Sequence, residues 1–399
     1  MSCFHFSCHP LSPSFWLFLF QLFFLFLVFA SIFYYVFSLY FSYLFFQKFI
    51  YIDEDFLPPV SIIKPLCGLE ENLEANLISF IQQEYPQYQL IFCVQEATDA
   101  VINLLEELRA KFPDKDLRLV VSDRTIGHNY KVSNMDNGLA FCDYDFILIA
   151  DSDIEVKPDY LKTIVQPFKD EKVGVVTCLY QPVAANWLGI IESLNVIGDF
   201  IPKVLTAVQT RDVNFAFGST ILIRREVLEA IGCFKAIANN LADDFLLGFL
   251  PHKLGYRVEL VNYFVRHHQG KENFRDYIDR QIRWQKCILS QGLLSYLGMI
   301  FTQGAVTSII FVLISNWHIF SVCLMIFTIL LRITLAYLVG IIYLKARELS
   351  GYMGLVIVGD FLNFYTWVLA LFKKEIVWRG RRFRVKKHGY LEPIYGTKT

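Results

Sequence analysis

The stretch FILIADSD at residues 146–153 decides the predicted fold, because an unbroken apolar run ends directly in two aspartates. The run of five apolar residues predicts a buried strand. Asp151 and Asp153 then lie on one tight turn at the carboxyl end of that strand, where two carboxylates can hold a divalent metal on a diphosphate. An ordinary polar turn is the alternative interpretation of the same residues.

Strands and helices alternate on both sides of this stretch. Apolar runs predict strands at 60–64, 90–94 and 117–122, and apolar periodicity predicts helices at 69–84 and 100–112. This alternation is typical of parallel β-α-β units in an open α/β sheet, which binds ligands at the carboxyl ends of its strands. We therefore expect a ligand site at the edge of the sheet that holds Asp151.

The overall composition excludes several classes of protein. The chain has 399 residues, of which 55% are hydrophobic and 19% charged, and its mean hydropathy is +0.41. Soluble domains carry about 25% charged residues, so a simple soluble enzyme and a disordered protein are both excluded. Nine scattered cysteines without a CxxC motif predict neither a zinc site nor a disulfide framework. The net charge of −1 does not suggest a nucleic-acid partner.

Four apolar blocks lie outside the α/β region, at 15–46, 298–315, 319–344 and 352–372. A helix needs about 20 apolar residues to span a bilayer, and the first block is longer than that. Because no lysine or arginine precedes Lys48, and because the block is too long for a cleaved signal peptide, we expect a retained anchor.

The positive-inside rule predicts the orientation of these blocks. Lys48 follows the first span, which places the α/β region in the cytoplasm. Three further full crossings would put the eight cations of 373–387 outside. One C-terminal block is therefore expected to be re-entrant or interfacial, and 352–372, which Asp360 and Asn363 interrupt, is the best candidate.

Two further polar motifs can carry chemistry. Asp243 and Asp244 precede an apolar run, and one of them can act as a general base, although both are also suited to a helix start. On a helix, Arg280, Arg283 and Trp284 share one face, which can grip a diphosphate or stack an acceptor. An interfacial belt of arginine and tryptophan beside the membrane is the alternative.

Weaker signals lie elsewhere in the chain. Lys131 ends the polar stretch GHNYK at 127–131 and can meet a phosphate, unless that stretch is only a solvated loop. Glu96 follows the predicted strand 90–94 and lies at the same edge as Asp151. Segment 187–205 is apolar but contains charges, and it is either a helix in the membrane plane that guides an acceptor or an amphipathic core helix.

Two charges lie inside the C-terminal apolar blocks, Arg332 in the second and Asp360 in the third. A charge in the middle of a bilayer costs about 2.5–3.5 kcal/mol. Because pairing would lower this cost, we expect a salt bridge between Arg332 and Asp360.

Six motifs occur in an order that resembles one enzyme family. They are KPLCG at 64–68, LIFCVQE at 90–96, G-x-N-x-K at 127–131, DSD at 151–153, ADD at 242–244 and R-x-x-RW at 280–284. In this order they resemble the inverting GT-A glycosyltransferases, and most of all the ceramide glucosyltransferase-like group, which includes bacterial relatives that act on hopanoids. Each motif alone is weak evidence, whereas the ordered set is specific.

The resemblance implies a nucleotide-sugar donor, which we expect to be a UDP-sugar. Glu96 matches the carboxylate at the base of the donor pocket, where aspartate is usual in the family. Lys131 matches the lysine on the diphosphate side. Asp151 and Asp153 match the motif that holds Mg²⁺ or Mn²⁺ on the diphosphate.

The resemblance also implies how transfer proceeds. Asp244 matches the presumed base, which would deprotonate the hydroxyl of a membrane lipid acceptor, ceramide-like or hopanoid-like. Arg280, Arg283 and Trp284 match the [QR]-x-x-RW motif of the family. Arginine at the first motif position favours transfer of a single sugar over processive polysaccharide synthesis, where glutamine is usual. A non-catalytic membrane protein that binds lipid or nucleotide is a further alternative.

The expected architecture is an α/β, GT-A (Rossmann-like) domain with transmembrane helices at both ends. The predicted domains are an N-terminal region with a transmembrane anchor (1–49), a GT-A catalytic domain (50–288), a transmembrane or interfacial region (289–372) and a basic cytoplasmic tail (373–399). We expect an integral membrane protein whose catalytic domain lies on the cytoplasmic face.

Overall fold

A computed structural model of the chain describes residues 13–378 and 380–394. An α/β domain lies between long apolar helices that precede and follow it. The ends of the predicted N-terminal region and of the predicted tail, together with Arg379, lie outside the described residues.

Four parallel strands form the first half of the sheet, and helices connect them in the predicted alternation. The elements are β1 (Val60–Leu66), α2 (Leu73–Ile81), β2 (Tyr88–Val94), α3 (Val101–Lys111), β3 (Leu117–Val121), α4 (Tyr130–Leu139) and β4 (Phe146–Ile149), after the N-terminal helix α1 (Pro13–Phe46). Helix α2 is shorter than predicted. Asn72 has a φ of 65°, which an α-helix does not allow, so the helix begins only at Leu73.

The second half of the sheet is mixed. Its elements are β5 (Ile154–Glu155), α5 (Tyr160–Ile164), β6 (Val173–Val183), α6 (Trp187–Asn195), α7 (Ile201–Thr210), β7 (Ile221–Arg224), α8 (Arg225–Ala230), α9 (Asp243–Lys253) and β8 (Arg257–His268). The eight strands lie in the order β3-β2-β1-β4-β7-β6-β8-β5. Strand β4 is therefore internal, and the chain leaves it at the DSD turn near the middle of the sheet.

The centre of the sheet is buried on both faces. All seven residues of β1 are buried, and β2 and β4 are buried apart from their first residues. Strands covered on both faces by helices form continuous apolar runs instead of alternating ones. Three polar residues of β1 and β2 are also fully buried, namely Ser61, Lys64 and Gln89, and Lys64 is the one among them with an ionisable side chain.

The remaining helices are mostly apolar. They are α10 (Phe274–Gln291), α11 (Leu293–Gly298), α12 (Gly304–Ile314), α13 (Ile319–Ala336) and α14 (Val356–Phe372). Within residues 13–378 and 380–394, three helical segments are long and apolar enough to cross a membrane, namely Ser14–Phe46, Ile319–Tyr343 and Arg347–Phe372. A bent pair, Leu293–Thr302 with Gly304–Ile314, is a fourth candidate span or a re-entrant loop.

The break in the C-terminal helices lies in a different block from the predicted one. Block 352–372 belongs to the unbroken segment Arg347–Phe372, whereas the first block bends by 69° near Gln303. The hydroxyl of Tyr35 on α1 donates to the Thr302 carbonyl and accepts from the Gly304 amide, both at 3.0 Å. A partner from another helix thus satisfies the backbone groups that the bend releases.

The expected Arg332–Asp360 pair is confirmed. Arg332 Nε and Nη2 lie 3.0 and 2.6 Å from the two carboxylate oxygens of Asp360, and Nη1 donates to the Gly198 carbonyl at 2.7 Å. Gly198 lies between α6 and α7, within segment 187–205. This segment packs against α1, α13 and α14 and joins the α/β domain to the apolar helices.

The described part of the predicted basic tail is folded. Strands β9 (Glu375–Trp378), β10 (Arg381–Val385) and β11 (Leu391–Pro393) form an antiparallel sheet. Several of its cations pair locally, Arg382 with Glu375 and Lys386 with Glu392. We call this sheet, 375–393, the C-terminal clasp.

Candidate active site

The DSD turn is held from two sides. The Asp151 amide donates to the Gly218 carbonyl at 3.1 Å, and the Lys64 ammonium donates to the Asp151 carbonyl at 2.5 Å. Lys64 Nζ also lies 3.9 Å from the ring centroid of Phe80. Burial lowers the pKa of Lys64 to about 7, although the charges of Asp151 and Asp153 oppose this shift. A buried amino group thus lies behind the two aspartates.

Lys131 joins two carboxylates that are far apart in the sequence. It lies in the first turn of α4, and its Nζ is 2.6 Å from Asp151 Oδ1 and 3.3 Å from Asp243 Oδ2. Asn129 caps α4 by accepting from the Val132 amide, and it donates to Asp243 Oδ1 at 3.2 Å. Burial disfavours the charged ammonium, but the neighbouring carboxylates outweigh burial and raise the pKa of Lys131. Lys131 therefore remains a cation.

Asp153 pairs with a histidine of β8, the strand that pairs with β5 directly after the DSD turn. Asp153 Oδ2 lies 3.0 Å from Nε2 of His267 on β8. Burial opposes ionisation of Asp153, but His267, Lys64 and Lys131 hold its pKa below the usual value. Burial likewise opposes the charging of His267, yet Asp153 raises the pKa of that imidazole. The two groups stabilise each other as an ion pair.

The two aspartates of this turn fit a divalent cation that also binds a diphosphate. Asp153 Oδ1 is buried and has no hydrogen-bond partner among the described residues. Over that same part of the chain, no group of three or more His, Cys, Asp or Glu side chains is arranged to hold a metal. Mg²⁺ is commonly bound by one or two carboxylates together with substrate phosphates and water, so Asp151 and Asp153 suffice.

Asp244 lies at the start of α9, close to the DSD turn. Its Oδ2 accepts from the Gly218 amide at 3.4 Å, and its Oδ1 accepts from the Phe245 amide at 2.7 Å. Burial and the neighbouring Asp243 raise the pKa of Asp244 to about 6, against the effect of Lys131. Ala242 occupies the N-cap position, so neither aspartate is the capping residue. A carboxyl group with this pKa is suited to general base catalysis near neutral pH.

Gly218 lies between Asp151 of the DSD turn and Asp244 of α9. A methyl group added at Gly218 would lie 2.6 Å from Asp151 Oδ2 and 3.2 Å from Lys131 Nζ. Only glycine allows the backbone to approach this closely while it binds Asp151 through its carbonyl and Asp244 through its amide.

The R-x-x-RW residues on α10 diverge. Arg280 Nη1 donates to Glu192 Oε1 at 2.9 Å, and Nη2 bonds Glu192 Oε2 and lies 2.8 Å from Glu272 Oε2. The Arg280 guanidinium lies 5.2 Å from the Trp284 ring. Arg283 lies instead over Trp378 of the clasp, at 5.6 Å. Contact of Arg280 with a diphosphate stays a prediction, since both terminal nitrogens pair with carboxylates here.

Tyr180 on β6 is partly buried, and its ring centroid lies 5.3 Å from that of His267. Burial raises the pKa of Tyr180, and the neighbouring carboxylates, that of Glu192 first, raise it further. The DSD turn and the start of α9 meet through Lys131 and Gly218.

Arg283 lies one helical turn before Cys287 on α10. Burial raises the pKa of the Cys287 thiol to about 12, with Asp244 adding to this effect and Arg283 opposing it. Glu96, in contrast, follows β2 as an exposed side chain, and its contact with a donor base or ribose stays a prediction.

No sequence motif pointed to His267 or Glu192 as a site residue. His267 lies near the end of β8, at 257–268, a strand that was not predicted from the sequence. Glu192 was visible as a charge inside an apolar segment, and a buried charge requires a partner. Its partner, Arg280, is 88 residues away in the chain.

The fold is that of a GT-A glycosyltransferase. It is similar to that of the mannosyltransferase PcManGT from Pyrobaculum calidifontis, which was solved in complex with GDP-Man and Mn²⁺. The TM-score is 0.52 and the identity 18%, over 88% of this chain and 100% of that one. The predicted α/β fold with apolar helices at both ends is confirmed.

The chain belongs to glycosyl transferase family 21, whose profile matches residues 23–391. It is 27% identical to ceramide glucosyltransferase 3 of Caenorhabditis elegans over 237 residues, which are 59% of this chain and 51% of that protein. It is 24% identical to ceramide glucosyltransferase 1 of the same organism over 241 residues, 58% and 50% of the two chains. The chain thus spans about half the length of these relatives.

Proposed function

We propose that the protein is a membrane-anchored glycosyltransferase that moves one sugar from a UDP-sugar to the hydroxyl of a membrane lipid, with inversion at the anomeric carbon. The observation that supports this most directly is the cluster of Asp151, Lys131 and Asp244 at the carboxyl edge of the sheet. The similarity to ceramide glucosyltransferases favours a glycolipid product.

The donor diphosphate would lie against the DSD turn. Asp151 and Asp153 would hold Mg²⁺ or Mn²⁺, which supplies positive charge to the departing diphosphate. Lys131 supplies a second positive charge from the protein, 2.6 Å from Asp151. Electrostatic groups of this kind contribute about 3–4 kcal/mol each to stabilising a transition state. Glu96, at the end of β2, is the proposed contact for the base or ribose.

Asp244 is the proposed general base. Its carboxylate accepts the proton of the acceptor hydroxyl while that oxygen bonds to the anomeric carbon. The bond between this carbon and the diphosphate oxygen breaks on the opposite side, so the configuration inverts and UDP leaves. Asp243 is held by Asn129 and Lys131, which leaves Asp244 as the carboxylate for the acceptor.

The apolar helices explain how the enzyme meets a lipid. Each methylene group that leaves the bilayer costs about 0.8 kcal/mol, so a long-chain acceptor stays in the membrane and the enzyme must work at its surface. Helix α10, which holds Arg283 and Trp284, packs on the candidate span α14 through a bond of 2.8 Å from Gln285 to Asn363. We place the catalytic domain on the cytoplasmic face.

The test is incubation of membranes that contain the full chain with a panel of UDP-sugars and either Mg²⁺ or Mn²⁺, followed by mass spectrometry of the lipid extract. We expect a lipid that has gained one sugar. Long sugar polymers would instead identify a processive polysaccharide synthase. Absence of both transfer and donor hydrolysis, in protein that elutes as a single species, would favour a non-catalytic binder. Membranes with Asp244→Asn are the matched control.

A further inference from the structure

The C-terminal clasp pairs with the loop that precedes the proposed base. The Leu241 amide donates to the Gly389 carbonyl at 2.9 Å, and the Leu391 amide donates to the Asn239 carbonyl at 2.7 Å. Asn240 and Tyr390 lie opposite each other between these two bonds as an antiparallel bridge. The clasp therefore holds the backbone immediately before Asp243 and Asp244.

Apolar packing fixes the same contact. Leu241 shares a buried cluster with three residues of the clasp, Ile376, Phe383 and Leu391, each at most 3% exposed. Cys287 of α10 packs at the edge of this cluster. One side of the small sheet is thus buried against the catalytic domain.

The clasp touches two more elements of the proposed site. The guanidinium of Arg381 stacks on the ring of Tyr130, with the Arg381 carbon 4.1 Å from the ring centroid, and it also donates to the Tyr130 hydroxyl. Tyr130 directly precedes Lys131 at the start of α4. Trp378 stacks with Arg283 of α10. Three elements that each carry a residue of the proposed site therefore meet on the clasp.

The N-cap residue of the base-bearing helix does not bond the first turn of that helix. Ala242, at the N-cap of α9, has no side chain that can bond the free amides. The preceding loop is bonded on one side by the residues just before α4, since Asn129 donates to the Asn240 carbonyl and the His128 amide donates to Asn239 Oδ1, both at 3.0 Å, and on the other side by the bridge to the clasp. The start of α9 therefore depends on Asn129 on one side and on the clasp on the other.

A short connection ties the clasp to the membrane helices. Strand β9 begins at Glu375, only three residues after α14 ends at Phe372. Between them, Lys373 pairs with Asp279 of α10 at 2.5 Å. Helices α10 and α14, which join the proposed site to the apolar region, therefore also set the position of the clasp.

We propose that the C-terminal clasp is a positioning element for sugar transfer, which sets the start of α9 for Asp244 and the start of α4 for Lys131. This inference rests on the proposed function. The clasp itself does not contact the reacting atoms. Its loss would leave the catalytic side chains present but misplaced.

The first test compares clasp variants of the full chain. Phe383→Ala removes the buried side chain, and we expect the kcat for transfer to fall about tenfold or more while the protein still elutes as a single species. Arg381→Ala removes the contact with Tyr130, and we expect the KM for the donor to rise about two- to tenfold with kcat nearly unchanged. The matched control is Arg382→Ala, a neighbouring exposed arginine whose pair with Glu375 lies within the clasp. Activities of Phe383→Ala and Arg381→Ala equal to that of the control would overturn the proposal.

A second test links the clasp to the loop before α9 by a disulfide, without restoring the Phe383 side chain. Asn240 and Tyr390 form a non-hydrogen-bonded pair, in which the Cα atoms are about 4.5 Å apart, within the range of a disulfide. In the Phe383→Ala background, Asn240→Cys with Tyr390→Cys should regain activity when oxidised and lose it again on reduction. Activity that does not respond to oxidation, in protein with a confirmed disulfide, would contradict a positioning role.

Hydrogen exchange separates this inference from the proposed function. Amides of 241–246 should exchange faster in Phe383→Ala than in Arg382→Ala, and oxidation of the cysteine pair should slow them again. This measurement needs no substrate. If the unaltered protein transfers no sugar but exchange changes as expected, the proposed function is wrong, although the clasp still holds the start of α9. Unchanged exchange would refute the positioning role even in a protein that transfers sugar.

Discussion

Replacing Glu192 by glutamine should destabilise the protein and slow sugar transfer, because this change breaks the ion pair that joins α6 to α10. Glu192 is 1% exposed and accepts from both terminal nitrogens of Arg280. Glutamine has nearly the same shape but no charge, and it can accept only one of the two bonds. The substitution therefore removes the charge and one hydrogen bond without opening a cavity.

The expected cost follows from the surroundings of the pair. Removing one partner of a buried ion pair typically costs about 3–5 kcal/mol. Two features reduce this value. Glu272 still lies 2.8 Å from Arg280 and is partly exposed to solvent. In addition, burial raises the pKa of Glu192, so its ionised form already bears a desolvation cost that glutamine avoids. We expect a loss of about 2 kcal/mol, or about 2–4 °C in the unfolding midpoint.

Thermal unfolding of the purified full chain in detergent is the measurement, with transfer kinetics on the same samples. Glu272→Gln is the matched control, because it removes one negative charge from the partly exposed partner of the same arginine. The control should cost about 1 kcal/mol or less. If Glu192→Gln melts with the unaltered protein and keeps its kcat, then Arg280 does not depend on Glu192, and the structural account of α10 is wrong.

Three further predictions test other parts of the site and the fold. The pKa of Asp244 is raised to about 6, and a general base must be ionised, so the transfer rate should fall as pH drops through about 6 and level off above it. Asp244→Asn should abolish transfer but retain UDP binding. Normal turnover by this variant would show that Asp244 is not the base. Charge reversal at Arg332 or at Asp360 should each cost about 3–5 kcal/mol of stability, measured by thermal unfolding. Reversal of both should recover all but about 1.5–3 kcal/mol, since the bond from Arg332 to a backbone carbonyl stays lost; no recovery would dismiss the pair. Gly218→Ala should lower the transfer rate at least about tenfold without unfolding the protein, because the new methyl group would lie 2.6 Å from Asp151 Oδ2. A normal KM and kcat would show that the DSD turn can move to accommodate the methyl group without loss of activity.

Local pattern in the sequence was enough to predict several features of the protein. The apolar run before Asp151 and Asp153 predicted a buried strand, because a strand that is covered on both faces has apolar residues at nearly every position. The Arg332–Asp360 pair was predictable for a similar reason, since two opposite charges in apolar helices are too costly to leave apart.

Features set by distant partners could not be predicted in this way. The 69° bend at Gln303 depends on a hydroxyl from α1, and the apolar sequence of 298–315 contains no sign of it. A basic tail was predicted in place of the clasp, because cations dominate the composition of 373–387. The fold of the clasp instead depends on Phe383 and Leu391, which are buried against Leu241 in the loop before α9, with Cys287 of α10 at the edge of the cluster.

The amino-acid sequence by itself determined the central strand, the apolar helices and the chemical groups of the site, because these depend on residue type and on neighbours within a few positions. Only the tertiary structure decided which groups meet. Lys131 with Asp151 and Asp243, Arg280 with Glu192, and the clasp with the start of α9 are contacts between segments far apart in the chain. No local pattern specifies such contacts. A charged side chain can pair with any of several opposite charges in the chain, and the packing of the helices and strands decides which of them lies within reach.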